Sequence, residues 1–149
     1  KVTTVDLGDG NTSNSIAVVN NEVYVLTGSG KFMEINVNSN AVESTLDIPT
    51  SISNTVNLNI DNQTVYFTSG ASVYSFNLGD TTVSETPVLT YQSNSSFGVM
   101  YGFAVNNDTI FIGDAGDFSS NGTFYEYSTS GDLLSTNEAG VAPNGFYFN

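Results

Sequence analysis

The side chains best placed to do chemistry lie in one polar loop in the last third of the sequence. This loop, residues 113–122 (GDAGDFSSNG), contributes Asp114, Asp117 and Asn121. Their oxygens are of the kind that Ca²⁺ prefers, and a calcium ion needs about six to eight such ligands. The loop offers few carboxylates, so an Asx turn that shapes the loop is the alternative to a calcium site. Apart from this candidate Ca²⁺ site, the sequence predicts no cofactor.

A second group of candidate residues is largely aromatic and lies on the two longest polar loops. One loop spans residues 91–100 (YQSNSSFGVM), and the other is the loop 113–122. Aromatic side chains on polar loops form a platform for a flat ligand, a sugar or a partner protein. The alternative is that they pack down over the strand ends as a small apolar cluster. The predicted ligand-binding residues are Tyr91, Phe97, Met100, Tyr101 and Phe118.

The composition removes most enzymatic chemistries. The chain has no His and no Cys, so no Ser–His or Cys–His pair, thiolate metal site or disulfide can form. Glu34 and Glu126 are predicted to lie mid-strand in different repeats, which separates them. The sequence therefore predicts a protein that is not an enzyme. A lactonase-like hydrolase with a metal in a central channel is the weakest alternative, because the inner strands contribute little beyond Asn57 and Asn59.

The charge of the chain is strongly one-sided. Fifteen acidic residues stand against two basic ones, which gives a formal charge of −13 over 149 residues. A negative field of this size repels phosphate, so nucleic acid and anionic membrane surfaces are disfavoured as partners. The scarcity of bases, with many Asn, Ser and Thr residues, favours an extracellular or cell-surface protein. No stretch approaches the roughly 20 apolar residues of a membrane helix.

An internal repeat predicts how the candidate loops are positioned. Residues 23–25 (VYV), 65–67 (VYF) and 110–112 (IFI) are one strand pattern that occurs three times, with starts 42 and then 45 residues apart. Each copy follows a polar turn and precedes a second apolar strand. A four-strand unit with this period is typical of a β-propeller blade. The sequence therefore predicts an all-β propeller with almost no helix.

Three blades are predicted, with a spare strand at each end. The blades span about residues 16–48, 56–91 and 101–137, and the spare strands lie at about residues 2–7 and 144–148. Propellers typically have about four to eight blades, so three blades do not close a ring. We therefore expect the chain to be the C-terminal part of a larger propeller, and the missing N-terminal blades to be its first partner.

The third repeat and the end of the sequence resemble a known family. The runs 110–118 (IFIGDAGDF), 121–127 (NGTFYEY) and 139–148 (AGVAPNGFYF) resemble the last blade and closing strand of YncE-like propellers, and more narrowly the DUF5074 group of Bacteroidetes surface lipoproteins. The resemblance covers roughly residues 16–149.

This resemblance implies a seven-bladed, non-enzymatic protein on the bacterial outer-membrane surface. Members are often found with TonB-dependent outer-membrane transporters, and some capture cobalamin. The function it implies is capture of a ligand or partner, and a structural or adhesive surface protein is the alternative. Two short matches to the O-glycosylation pattern of Bacteroidetes, at residues 80–82 and 108–110, make Thr81 and Thr109 candidate modification sites.

The predicted open set of blades has a consequence for stability. Burial of apolar surface stabilises a fold by roughly 25 cal/mol per Å², whereas a whole domain has only about 5–15 kcal/mol of stability. Because two exposed blade faces cost several kcal/mol on this scale, we expect isolated residues 1–149 to self-associate. Sedimentation measures this directly, and a monodisperse, cooperatively folding 15.8 kDa monomer contradicts it.

Overall fold

The computed structural model describes residues 4–8, 10–96, 98 and 100–148. None of these residues forms a helix of the length and hydrophobicity needed to span a membrane. They form twelve strands, which confirms the all-β prediction. The strands are β1 (Ser13–Val19), β2 (Glu22–Thr27), β3 (Lys31–Asn36), β4 (Ala41–Asp47), β5 (Thr55–Asp61), β6 (Thr64–Ser69), β7 (Ser72–Asn77), β8 (Leu89–Thr90), β9 (Met100–Asn106), β10 (Thr109–Asp114), β11 (Asn121–Ser128) and β12 (Leu133–Val141).

The strands pair into three four-stranded antiparallel sheets. Each sheet takes its strands in chain order, β1 to β4, β5 to β8 and β9 to β12, as the predicted repeat requires. The chain also divides into two compact units. The described residues of the first unit lie at 4–69 and 74–86, and those of the second at 70–73 and 87–148.

The turn between the first two strands has the same geometry in all three sheets. Both central residues of each turn have a positive φ, at Asn20–Asn21, Asn62–Gln63 and Asn107–Asp108. Two consecutive positive φ angles define a type I′ turn, which matches the right-handed twist of antiparallel strands. Asn and Asp tolerate this conformation better than most side chains. The polar pair that recurs in the sequence is therefore the hairpin turn of each repeat.

The second strand of each sheet is buried on both faces. In the first unit, Leu26 of β2 and Phe67 of β6 are fully buried. Around them, the rings of Tyr24 and Phe32 stack with centroids 5.4 Å apart, and Phe32 meets Phe76 edge-on at 5.0 Å. One apolar cluster thus fills the core of the first unit.

Hydroxyl, amide and backbone groups, of which the Thr55 hydroxyl is buried, join β1 and β2 to β5 within the first unit. Thr55 Oγ1 donates to the carbonyl of Thr27 at 3.0 Å, and Asn14 Nδ2 donates to the carbonyl of Thr55 at 3.0 Å. The backbone N–H of Leu58 donates to Ser15 Oγ at 3.1 Å. These bonds satisfy polar groups that lie next to an apolar core, where an unpaired group is costly.

The fourth strand of the second sheet is shorter than the sequence predicts. The predicted strand covered residues 84–91, but only Leu89 and Thr90 pair with β7. Pro87 has no N–H to donate to a sheet ladder. The hydroxyl of Ser84 accepts the N–H of Thr86 at 3.1 Å and turns the chain locally. Residues 78–87 consequently form a loop.

The predicted N-terminal spare strand does not form in the residues described. The segment 4–8 makes no strand, and the start of the prediction at Val2 lies outside the described residues. Val5 and Leu7 instead pack against a buried cluster that includes Val25 and Met33. A strand requires a hydrogen-bonded neighbour, whereas this segment gains its contacts by lying on a sheet face.

The C-terminal segment also differs from the prediction, because residues 143–148 lie across the third sheet and form no strand. Three glycines make room for it. A Cβ at Gly113 would lie 2.5 Å from the carbonyl oxygen of Pro143, and one at Gly102 would lie 2.8 Å from backbone atoms of Asn144. A Cβ at Gly122 would lie 2.6 Å from the ring of Pro143.

Aromatic rings hold the rest of this segment in place. The rings of Phe146 and Phe148 lie 5.5 and 5.1 Å from that of Phe111, and Phe146 also meets Phe124 at 6.4 Å. Tyr147, which lies between Phe146 and Phe148 in the sequence, is 88% exposed. Side-chain burial, and not a sheet ladder, therefore fixes the segment to the third sheet.

We expect Gly113→Ala to destabilise the second unit and Gly140→Ala to leave it intact. The added methyl group at residue 113 meets backbone atoms of the C-terminal segment, and overpacking of this kind costs about 1–3 kcal/mol. At Gly140 the same methyl group meets nothing within 4 Å. Urea denaturation followed by circular dichroism measures both variants. Equal stability of the two would show that the segment does not pack on the glycines.

Candidate functional site

Two long loops of the second unit meet at one end of the third sheet. The loop 91–99 joins β8 to β9, and the loop 115–120 joins β10 to β11. The corresponding turns between the second and third strands of the other sheets are shorter, at residues 28–30 and 70–71. A register shift after Gly113 pairs Asp114 with Met100, which places the start of one loop beside the end of the other.

Asp114 is buried and ties the two loops together. One of its carboxylate oxygens accepts the N–H of Gly116 at 2.8 Å, and the other accepts the hydroxyl of Ser93. A buried carboxylate is stable only when such donors compensate its lost hydration. The predicted metal ligand Asp114 thus serves as a cross-link between the loops.

The predicted ligand-binding residue Tyr91 lies beneath the loops. Its side chain is 4% exposed, and its ring meets that of Tyr125 edge-on at 5.3 Å. Burial, and then the nearby carboxylate of Asp114, raise the pKa of Tyr91 above its ordinary value. The Tyr125 hydroxyl in turn accepts the N–H of Asn94 at 3.0 Å. Tyr91 therefore supports the loops from below and offers no surface to a ligand.

Asp117 forms an Asx turn at the tip of the second loop. One carboxylate oxygen accepts the N–H groups of Ser119 and Ser120 at 2.9 and 2.8 Å, and the other accepts the Ser120 hydroxyl at 3.2 Å. These hydrogen bonds favour the charged form and lower the pKa of Asp117 to about 2. This geometry is the Asx turn that was the alternative to a calcium site in this loop.

The three predicted calcium ligands line one small polar cavity. Its volume is about 280 Å³, and Asp114, Asp117 and Asn121 contribute to its wall. Asn121 donates through Nδ2 to Glu138 at 2.9 Å. Within the described residues, no three carboxylate, His or Cys side chains group closely enough to hold a metal ion. Calcium binding at this loop stays a prediction, and an ion would displace bonds that now shape the turn.

Tyr101 and Phe118 form an exposed aromatic pair. Their ring centroids lie 5.1 Å apart in an edge-on contact, and the two side chains are 42% and 48% exposed. Met100, which precedes Tyr101 in the sequence, is half-buried, and Phe97 lies outside the described residues. We call Tyr101 and Phe118 the loop aromatic pair.

Phe118 has an unusual backbone conformation. Its φ is +61°, in the left-handed region that bulky side chains rarely adopt. Its N–H donates to the carbonyl of Ala115 at 3.0 Å, and the Asx turn of Asp117 fixes the residues that follow. The loop is thus built to hold a phenyl ring outward at a position where Gly would be favoured. No pattern in the sequence predicts this conformation.

The two candidate glycosylation residues differ in access. Thr81 is exposed in the loop 78–87. Thr109 is half-buried at the start of β10, and its hydroxyl donates to the carbonyl of Asn107 at 3.5 Å. Modification at either position stays a prediction, and Thr81 is the more exposed of the two residues.

Comparison with known proteins shows the fold. No protein-family model matches the sequence, and no curated protein matches it. Among solved structures, the β-propeller domain of Myceliophteria thermophila Cps50 (Swd1) is 10% identical over 91% of this chain and 46% of its own, with a TM-score of 0.64. The fold is that of a β-propeller.

Two further structures resemble the chain. The computationally designed protein Ika4 is 14% identical over all of this chain and 88% of its own, with a TM-score of 0.65. BBS1N, solved in complex with ARL6, is 13% identical over 89% of this chain and 42% of its own, with a TM-score of 0.61. The chain thus spans less than half the length of Cps50 and BBS1N.

We expect the Asp117 carboxyl to titrate with a pKa of about 2, below its ordinary value of 3.8. The turn gains stability from the charged form, so this contribution is complete above pH 3.8 and disappears as the pH falls through about 2. Carboxyl-carbon NMR from pH 1.5 to 6 measures the midpoint. An Asp117 midpoint at or above 3.8 contradicts the Asx turn.

Proposed function

We propose that this chain is part of a non-enzymatic binding propeller that captures a ligand or partner through the loop face of its third blade. The observation that carries the proposal is the loop aromatic pair, two rings in contact that both remain about half exposed. Large rings left in water lose the burial that stabilises the same side chains elsewhere in the fold. A ligand that stacks on Tyr101 and Phe118 would supply that burial.

The conformation of Phe118 supports the same proposal. A non-glycine residue in the left-handed region costs about 1–3 kcal/mol, and such strain clusters at binding sites. The loop retains this residue although Gly would relieve the strain. Asp114 and Asp117 hold the loop shape in place, so the rings need little reorganisation on binding.

The charge of the chain narrows the ligand class for this face. A formal charge of −13 disfavours an anionic ligand. The chemistry of the pair fits a neutral ligand with a flat apolar face, such as a sugar ring or a corrin, or an apolar side chain of a partner protein. Among the neighbours in fold, BBS1N is a protein solved with a partner, ARL6.

The setting that we propose is the bacterial outer-membrane surface. The acidic composition, rich in Asn, Ser and Thr, and the resemblance of the third repeat to surface lipoproteins support it. We further propose that additional blades of the same protein complete the propeller, and that a TonB-dependent transporter receives the captured ligand. The first of these proposals rests on the blade count, because three blades do not close a ring, and the second rests on the family resemblance.

We expect replacement of the loop aromatic pair to weaken ligand binding without unfolding the protein. The probes are cyanocobalamin and a neutral hexasaccharide such as xylohexaose, each titrated by calorimetry. For the probe that binds, Tyr101→Ala and Phe118→Ala should each lower affinity by about tenfold, the effect of losing one stacked ring. Tyr147→Ala removes an exposed ring elsewhere and should change nothing. An unchanged affinity in both pair variants overturns the proposal.

Phe118→Gly separates a role in binding from a role in stability. It should bind as weakly as Phe118→Ala, because both variants lack the ring. It should nevertheless be more stable than Phe118→Ala by about 1 kcal/mol, because Gly adopts a positive φ without strain. Urea denaturation of the two variants measures this difference. A Phe118→Gly variant less stable than Phe118→Ala would contradict the strained conformation.

A further inference from the structure

A groove opens in the first unit. It has a volume of about 610 Å³ and lies between β4 of the first sheet and residues 78–81, which follow β7 in the same unit. Its side walls are Leu46 and Leu78, and its floor is aromatic.

The floor of the groove is the outer end of the apolar core. Tyr24, Phe32 and Phe76 all line it. The ring centroids of Tyr24 and Phe32 lie 5.4 Å apart, and those of Phe32 and Phe76 lie 5.0 Å apart. All three side chains are only 6–7% exposed, so the floor is rigid and little of each ring reaches the groove.

Carboxylates form the rim. Glu34 lies across the ladder from both Tyr24 and Ser44, and the Ser44 hydroxyl donates to it at 3.2 Å. Asp80 stands on the opposite side of the groove, where it accepts the N–H of Asn77 at 2.8 Å. Each carboxylate has lone pairs beyond those that these bonds occupy.

Among the described residues, the carboxylates that line the groove outnumber the positive charges that pair with them. The one ion pair among them joins Lys31 to Asp47, which also lines the groove. Glu34 and Asp80 are not part of that ion pair. The Glu34 charge also acts on the floor, since burial and then Glu34 raise the pKa of Tyr24. The groove therefore combines an aromatic floor with an unbalanced negative rim.

The strand beside the groove has an open edge. In the first sheet β4 is the last strand and has a hydrogen-bonded neighbour on one side only. An extended peptide can add to such an edge through main-chain hydrogen bonds. Alternate side chains of the added strand would then point to the sheet face that carries Ser44 and Glu34.

We propose that this groove binds an extended basic segment of another protein, with β4 pairing to its backbone and Glu34 and Asp80 receiving its arginine side chains. Arginine fits better than a neutral sugar, because its guanidinium matches the carboxylates of the rim. The strongly acidic chain raises the local concentration of a cationic partner and speeds its association. The groove shares no residue with the loop aromatic pair, so its failure would leave the proposed function standing.

The test uses a fluorescein-labelled hexapeptide of alternating arginine and threonine, followed by anisotropy. The wild-type chain should bind it saturably, and the counterpart with glutamine in place of arginine should bind at least tenfold more weakly. Equal binding of the two peptides, or no saturable binding of the arginine peptide, overturns the proposal. So does competition by xylohexaose, which would identify the groove as a sugar site.

Two matched pairs of variants locate the site. Glu34→Gln should weaken binding about tenfold, the effect of losing a charge-assisted hydrogen bond. Glu43→Gln makes the same charge change on β4 outside the groove and should alter affinity by less than about twofold. Thr81→Arg places a competing cation at the rim and should block binding, whereas its neighbour Thr82→Arg should not. Equal effects within either pair would show non-specific attraction and overturn the proposal.

Discussion

The structure depends on one constraint, namely that a four-stranded sheet whose second strand is apolar on both faces must be covered on both faces. Leu26, Val65 and Ile110, one from each of these strands, are fully buried. A single sheet cannot bury them, so sheet must pack on sheet or on another segment. In the first unit one face of the first sheet shares a core with the second, and Val5 and Leu7 contact the apolar cluster on the other face. The residues at both ends of the chain serve the same need.

The candidate sites lie where that packing stops. Strand ends carry backbone groups without ladder partners, and loops must satisfy them. Asp114 does so by joining two loops, and Asp117 does so within one. Their carboxylates are thereby used to hold the loops in shape, and the exposed rings of Tyr101 and Phe118 are the side chains that we propose for ligand binding. The groove in the first unit lies similarly beyond a strand end, between β4 and the residues 78–81 that follow β7.

Much of the fold could be predicted because each sheet is local in sequence. The three hairpin turns, the buried second strands and the order of the strands follow from the spacing of apolar runs and Asn-rich turns. The end segments could not be predicted, because a strand pattern forms a strand only if a neighbour accepts its hydrogen bonds. The positive φ of Phe118 also leaves no trace in the sequence. Pro87 was a signal that the second outer strand would break.

The three tight hairpins also determine how the chain can fold. Each sheet is a meander whose neighbours in space are neighbours in sequence, so its closure requires only short loops. Pairing of strands across a two-residue turn proceeds in about 1–10 μs. The bond from Asn14 to Thr55 instead joins groups 41 residues apart, so a longer loop must close before it can form. We expect the slow step in building the first unit to be the meeting of its sheets, with a rate that depends on the side chains that interlock between them more than on the ladders within them.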